Sequence, residues 1–541
     1  MTASLPPTPA PQQDAASPAI AQDPRRQQAV LLVASMVSSL VMLDTNVVAV
    51  ALPTIAHTLN AEFADMQWVI TAYMLPFAAL LMAAGSLCDR YGRRRIMVVG
   101  QVLFVGASLF CGTAPAAWVL NVSRAFQGIG AALLLTAALA VINHSFQGPA
   151  RARAYAFWGA CLGIAITCGP ILGGVISSTI GWHWVFLINL PIGVVLIAAT
   201  LRVVEESRDK EAVRLDYGGV ATFSGALFLL TWAAIDGNAL GWTSPAVLGR
   251  LIGGVLLLEA FVVIEGLQAR PMVDLRLLRS PAFVGSAFAM VGYAAGAQVM
   301  LFYLPLYLQN AFGLSPASAG ISMLPFALPM FLVPRVAAHY TTGWTPRALL
   351  CLGLGLSGVA NAAMALLATS GSNYLAFACA MALAGTGAGL LNGETAKAMQ
   401  GAIPPQRAGM ASGLAGTTRF SGLLAGVAGL GAVLVAMATA DFQRAAAQWP
   451  LAPALARDVA KRFSAGDVAG ALHALQALPT DAAAAAATAL RHAFSAGFGA
   501  AAWSAAGVAV AALVLTRLLM PGRDAQAANG LQEAHMVAPG E

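Results

Sequence analysis

Gly85-Ser86-Leu87-Cys88-Asp89-Arg90-Tyr91-Gly92-Arg93-Arg94-Arg95 joins two apolar runs and packs five charges into eleven residues. Only 10% of the chain is Asp, Glu, Lys or Arg, so this density needs a physical cause. Small residues let two helix ends approach, Asp89 can cap or pair, and the arginines hold a loop at the cytoplasmic face of a membrane. The composition agrees. The chain has 541 residues, is 59% apolar and has a mean hydropathy of +0.74. A soluble domain carries roughly 25% charged residues. The 54 glycines suit tightly packed membrane helices. The net charge of +6 is scattered among loops, with no basic stripe, which excludes nucleic-acid binding and points to membrane orientation.

A membrane-crossing helix needs about 20 mostly apolar residues. Fourteen stretches qualify, near 29–50, 67–87, 95–113, 118–142, 154–176, 183–202, 217–236, 247–267, 283–308, 318–337, 347–368, 373–396, 408–437 and 496–519. Arg25 and Arg26, Arg90 to Arg95, Arg151 and Arg153, Arg202 to Arg214, Arg270 to Arg279, Arg347, Lys397 and Arg407 fall on one side of this alternation. The opposite short loops carry essentially none, Arg250 at a helix edge being the awkward case, so both termini are expected in the cytoplasm of a cell (inner) membrane protein. The six cysteines lie mostly inside apolar runs, without a C-x-x-C pair, and read as small buried side chains rather than metal ligands. No metal or cofactor is expected. No G-x-x-x-x-G-K-[ST] loop occurs, which leaves ion coupling as the drive.

The expected organisation is an all-α membrane protein. It has a disordered cytoplasmic tail over 1–28, a six-helix bundle over 29–202 and two inserted helices over 203–270. A second six-helix bundle covers 271–520, with an external helical loop at 438–491, and a tail follows over 521–541. Two homologous halves rocking about a midplane site is the mechanism this supports.

Three polar features interrupt the apolar runs. Asp44 lies deep in the first span, where a carboxylate costs about 2.5–3.5 kcal/mol and needs a partner, a proton or water. It is read as a proton carrier, or alternatively as a neutral acid bonded to Thr45 or Asn46. Arg124 opens the fourth span ahead of Gln127, Gly128 and Gly130; it either pairs with Asp44 or snorkels to the outer interface. In the fifth span Gly169-Pro170-Ile171-Leu172-Gly173-Gly174 kinks a helix and flattens its surface.

With Gly85, Asp89, Arg90, Gly92, Arg93 and Arg94 in the second-to-third loop, these features resemble the major facilitator superfamily, in particular the fourteen-span drug:proton antiporters of the EmrB/QacA type. Gln67 to Tyr73 and Gly181 to Gly193 extend the resemblance. It implies the major facilitator fold of two six-helix bundles plus two inserted helices. It assigns proton coupling to Asp44 and Arg124, and conformational roles to the loop and to Gly169, Pro170, Gly173 and Gly174. The implied activity is export of amphipathic or aromatic, often cationic, compounds in exchange for protons, without enzymatic chemistry. Export of one endogenous metabolite and a non-transporting sensor are the alternatives. Trp68, Tyr73, Gln127, Gln298, Tyr303, Tyr307, Glu394 and Arg419 are candidates to line a substrate cavity. The partners expected are a small-molecule substrate, protons and the lipid bilayer. A periplasmic adaptor and an outer-membrane channel join them if the host has two membranes.

Overall fold

The computed structural model describes residues 24–521 apart from 60, 62, 147, 208–215, 269–272, 341–342, 372, 404–407 and 447–479. Long helices dominate. The first half comprises α1 (Pro24–Leu59), α2 (Phe63–Tyr91), α3 (Arg93–Gly112), α4 (Ala117–Ser145), α5 (Gly148–Thr179), α6 (His183–Leu187) and α7 (Asn189–Val203). The inserted pair is α8 (Tyr217–Leu240) and α9 (Pro245–Leu267). The second half has α10 (Pro281–Gly292), a π-helical turn (Tyr293–Gln298), α11 (Met300–Asn310), α12 (Pro316–Ile321), α13 (Leu324–Tyr340), α14 (Pro346–Thr369), α15 (Tyr374–Gly401), α16 (Ala408–Ala446) and α17 (Thr480–Leu519).

Three spans are compound. The pairs α6–α7 and α12–α13 each make one crossing, and α10, the π turn and α11 form span nine. Thirteen of the resulting stretches are long and apolar enough to cross a membrane among the described residues. The remaining crossing is α2, apolar over Asp65–Leu81 and packed between α4 and α16. The chain is a multi-pass membrane protein with fourteen helical crossings.

Helix ends depart from the hydropathy windows. α1 begins at Pro24, inside the segment assigned to the tail, while 1–23 and 522–541 lie outside the described residues. α16 and α17 both run into the segment drawn as an external loop. Phe442 and Leu490 are buried there and His492 Nδ1 lies 3.4 Å from Asp441 Oδ2. The short helices expected between 447 and 479 lie outside the described residues.

Glycine sets the spacing of corresponding helices in the two halves. A Cβ at Gly128 of α4 would overlap the Tyr73 carbonyl of α2, and one at Gly385 of α15 would overlap the Phe326 carbonyl of α13. Such contacts let backbones approach where lipid offers no hydrophobic drive. The halves meet through α2 with α16, α1 with α11, and α5 with α12. The inserted pair packs on this seam, with α8 touching both α2 and α16. Trp68 lies 6.0 Å from Phe228, and Asn238 donates to the Ala432 carbonyl. Arg250 pairs with Asp236 at 2.6 Å and covers Trp232, so this charge at a helix edge is neutralised locally.

At the end away from the Gly85–Arg95 loop, the Gly169–Gly174 stretch is packed on two sides. Gly169 and Gly173 lie on Asn46 and Val47 of α1, while Pro170 and Gly174 meet Gly320 and Pro316 of α12. A side chain at Gly174 would strike the Pro316 carbonyl. Overpacking costs about 1–3 kcal/mol, so if this contact parts on opening, Gly174→Val should favour opening by roughly five- to a hundred-and-fiftyfold. A cysteine placed at Ala317 is expected to react correspondingly faster with a water-soluble maleimide in that variant. Unchanged labelling would show that this contact does not hold the seam.

A buried ion-pair cluster as the candidate functional site

Asp44, near the middle of α1, and Arg124, in the first turns of α4, are both sealed inside the first half. Arg124 Nη1 lies 2.6 Å from Asp44 Oδ2. The same nitrogen donates to Gln127 Oε1 at 2.7 Å, and Nε donates to the Val69 carbonyl at 3.0 Å. Asp44 Oδ1 accepts from Gln127 Nε2 at 2.9 Å and from Asn189 Nδ2 at 2.8 Å. Ser108 joins these two amides, accepting from Gln127 at 2.8 Å and Asn189 at 3.3 Å. The Tyr73 ring lies beneath the guanidinium, 4.1 Å from Cζ to centroid, and Phe186 flanks it at 5.7 Å. Five crossings therefore contribute, from α1, α2, α3, α4 and α7.

Arg124, rather than Thr45 or Asn46, is the partner of Asp44. Thr45 and Asn46 donate back to the Val41 and Met42 carbonyls at 2.8 and 2.7 Å, so neither serves Asp44. Arg124 turns inward rather than snorkelling. Desolvating two ions is offset only when geometry is good and remaining donors are satisfied. The geometry here is good: the acid has three donors, and the guanidinium has acceptors on two of its three nitrogens and a ring beneath it.

The charged loop is held from the linker that follows α7. Gly92, at φ 105°, turns the chain between α2 and α3, and a Cβ there would meet the Glu206 carboxylate. Glu206 accepts from the backbone N–H groups of Arg94 and Arg95 at 3.2 Å each, and Arg93 N–H donates to the Ser207 carbonyl at 2.9 Å. A carboxylate at a helix N-terminus satisfies orphan donors and opposes the helix dipole. Arg90 is exposed and covers Tyr91, and Gly85 faces Thr136; the side chain of Asp89 lies outside the described residues.

The eight cavity candidates fall in several places. Gln127 and Tyr73 belong to the Asp44 cluster, and Trp68 faces α8. Tyr303 donates to the Val427 carbonyl, which also accepts from Gln67, and borders a small apolar cleft of about 30 Å³ between the halves. Tyr307 stacks on Phe498 at 4.2 Å within the second half. Glu394 pairs with Lys397. Arg419 Nε donates to Gln298 Oε1 at 2.9 Å. Sequence reasoning missed Ser108, Asn189 and Glu206. Asn189 carried a signal, a polar amide inside an apolar run just before Pro191.

If Asp44 and Arg124 act as a coupled pair, removing one charge strands the other. Asp44→Asn and Arg124→Gln should each lower thermal stability in detergent. The double variant should be less destabilised than the sum by about 0.5–3 kcal/mol. Simple additivity would show that the pair contributes no mutual stabilisation.

The comparisons with known proteins agree with this architecture. A solved bacterial homologue of the human lysosomal transporter Spinster, in an inward-facing and occupied conformation, superposes with a TM-score of 0.61 at 16% identity. That match covers 92% of this chain and 97% of the other. Multidrug resistance protein Stp of Mycobacterium tuberculosis (strain CDC 1551 / Oshkosh) is 32% identical over 77% of this chain and 78% of its own length. The Methylenomycin A resistance protein of Streptomyces coelicolor is 33% identical, over 76% and 86% respectively. The sequence model of the Major Facilitator Superfamily matches residues 34–427. With the paired helical halves and these relatives, the chain belongs to the Major Facilitator Superfamily and is a membrane transporter rather than an enzyme.

Proposed function

We propose that this transporter exports amphipathic or aromatic small molecules from the cytoplasm in exchange for protons, with Asp44 as the proton-carrying group. The observation that carries the reading is the closed Asp44–Arg124 pair, whose charges balance only while the acid is ionised. A proton delivered to Asp44 removes the counter-charge from a guanidinium sealed in the first half. Stranding a buried ion typically costs about 3–5 kcal/mol. The arrangement that lets water or a new partner reach Arg124 relieves that cost, so protonation favours a change of conformation.

The fold offers a route for that change. Asn46 and Val47, just beyond Asp44, carry Gly169 and Gly173 of α5, and the same stretch of α5 seals against α12 of the other half. A displacement of α1 at the acid is thereby delivered to the seam. The energetic scale is adequate, because one charge crossing 100 mV yields about 2.3 kcal/mol and supports a gradient of roughly fifty-fold. The arginines and lysines clustered on one side of the span alternation support cytoplasmic termini. Relatives whose names refer to multidrug resistance and to resistance against one antibiotic support export in both broad and narrow forms.

Proteoliposomes holding the full chain and a panel of fluorescent amphiphiles provide the test. A pH gradient imposed on the unaltered chain should drive dye against its gradient. Asp44→Asn should permit equilibration but no accumulation, a loss approaching the full fifty-fold that about 2.3 kcal/mol represents. Undiminished accumulation by Asp44→Asn would remove this acid from the coupling mechanism.

A further inference from the structure

Arg419 stands in the other half with no acid partner among the described residues. It lies on α16 roughly 17 Å along the helix from Ala408, a depth at which a bare guanidinium is costly. Its polar contacts are neutral. Nε donates to Gln298 Oε1 at 2.9 Å and Nη2 donates to Tyr293 Oη at 3.3 Å. The other described acids at comparable depth are engaged or distant. Asp44 holds Arg124, Asp236 holds Arg250, Glu394 holds Lys397, and Glu259 is on the exposed face of α9. Among the described residues Arg419 forms no ion pair.

Its ligands are built for position. Tyr293 and Gln298 are the first and last residues of the π-helical turn, an energetically unfavourable local geometry that recurs at functional sites. Tyr293 O–H donates onward to Asn392 Oδ1 at 2.9 Å, fixing its oxygen as an acceptor toward Arg419. Asn361 Nδ2 donates at 2.7 Å to the Gly296 carbonyl inside the same turn. Both Tyr293 and Gln298 are buried, whereas Arg419 is only partly so. Two of the five guanidinium N–H donors are used, and Nη1 makes no hydrogen bond to a described residue.

We propose that Arg419, held by Gln298 and Tyr293, is the binding site for a carboxylate on the exported molecule. A planar guanidinium with free N–H groups matches a carboxylate fork, and an anion supplies the missing counter-charge. The aromatic neighbours suit an aryl body behind that acid group. Phe420 follows Arg419 in sequence, lies against Phe77 of α2 with centroids 4.2 Å apart, and Phe77 continues to Tyr73 beneath Arg124. A contiguous row of rings therefore joins the two arginines across the seam. The interior pair Asp44–Arg124 is balanced, whereas Arg419 has no acid partner among the described residues, which favours acidic or zwitterionic cargo over the cationic compounds expected from sequence. The assignment rests on the export reading for its biological sense, and its binding test does not require transport.

Calorimetric titration of the purified full chain with 2-naphthoate and with its methyl ester, at one pH and without a gradient, decides the matter. The unaltered chain should bind the acid at least about tenfold more tightly than the ester. Arg419→Gln should bring the acid down to the ester while leaving ester affinity in place, which also reports that the variant is folded. Arg419→Lys should be intermediate, because it keeps charge but lacks the fork. Gln298→Ala should weaken the acid alone. Equal affinities in the unaltered chain, including no measurable binding of either probe, overturn the site, as does equal loss of both probes in Arg419→Gln. Acid-selective binding without gradient-driven export in proteoliposomes would count against the export reading alone. Dye export without acid selectivity would count against the carboxylate site alone.

Discussion

A carboxylate and a guanidinium that have both left water, 2.6 Å apart, anchor this transporter. Neither is tolerable alone at that depth, and together they require donors and acceptors from five helices. The positions of α1, α2, α3, α4 and α7 are consequently correlated through one cluster. Gly128 brings the α4 backbone onto α2 just below Arg124, and that approach puts the Tyr73 ring under the guanidinium. Packing and electrostatics at this point are one constraint. A helix that drifted by even an ångström would break a hydrogen bond to an ion rather than merely loosen a contact.

The two halves share a scaffold and differ in their charges. Close glycine contacts recur at Gly128 and Gly385, yet the first half encloses a neutralised pair while in the second Arg419 lies among neutral groups. In the proposed mechanism this asymmetry divides the labour, with the proton handled in one half and the cargo in the other. The ring row from Tyr73 through Phe77 to Phe420 is the direct packing link between them. The Gly169–Gly174 stretch provides a second link farther along, because it touches α1 on one side and α12 on the other.

The crossings were legible because twenty apolar residues in succession have few other uses. Their ends were not. Residues 480–495 are alanine-rich, and hydropathy drops at Arg491 and His492 while helix propensity does not, so α17 begins well before the apolar window. Asp44 and Arg124 stood out as charges in apolar surroundings. Ser108 did not, since a hydroxyl that bonds back to its own helix costs little in a membrane span. Glu206 was hidden differently, as one acid beside Glu205 in a charged linker. The direction a side chain faces was least legible of all. Tyr73 and Trp68 lie five residues apart on one helix, yet one packs beneath Arg124 and the other against the inserted pair. Rotation about the helix axis is decided by neighbours that no local pattern specifies.

The siting of the inserted pair has a consequence for how molecules reach the interior. α8 lies along the line where α2 and α16 meet, touching both, and α9 presents a greasy outer surface. This line of the seam is therefore roofed by protein instead of acyl chains. Compounds dissolved in the bilayer that approach along this line must pass beneath that roof. Because one roof beam rests on both walls, tilting either wall must slide it, making the lateral opening and the end openings parts of a single movement.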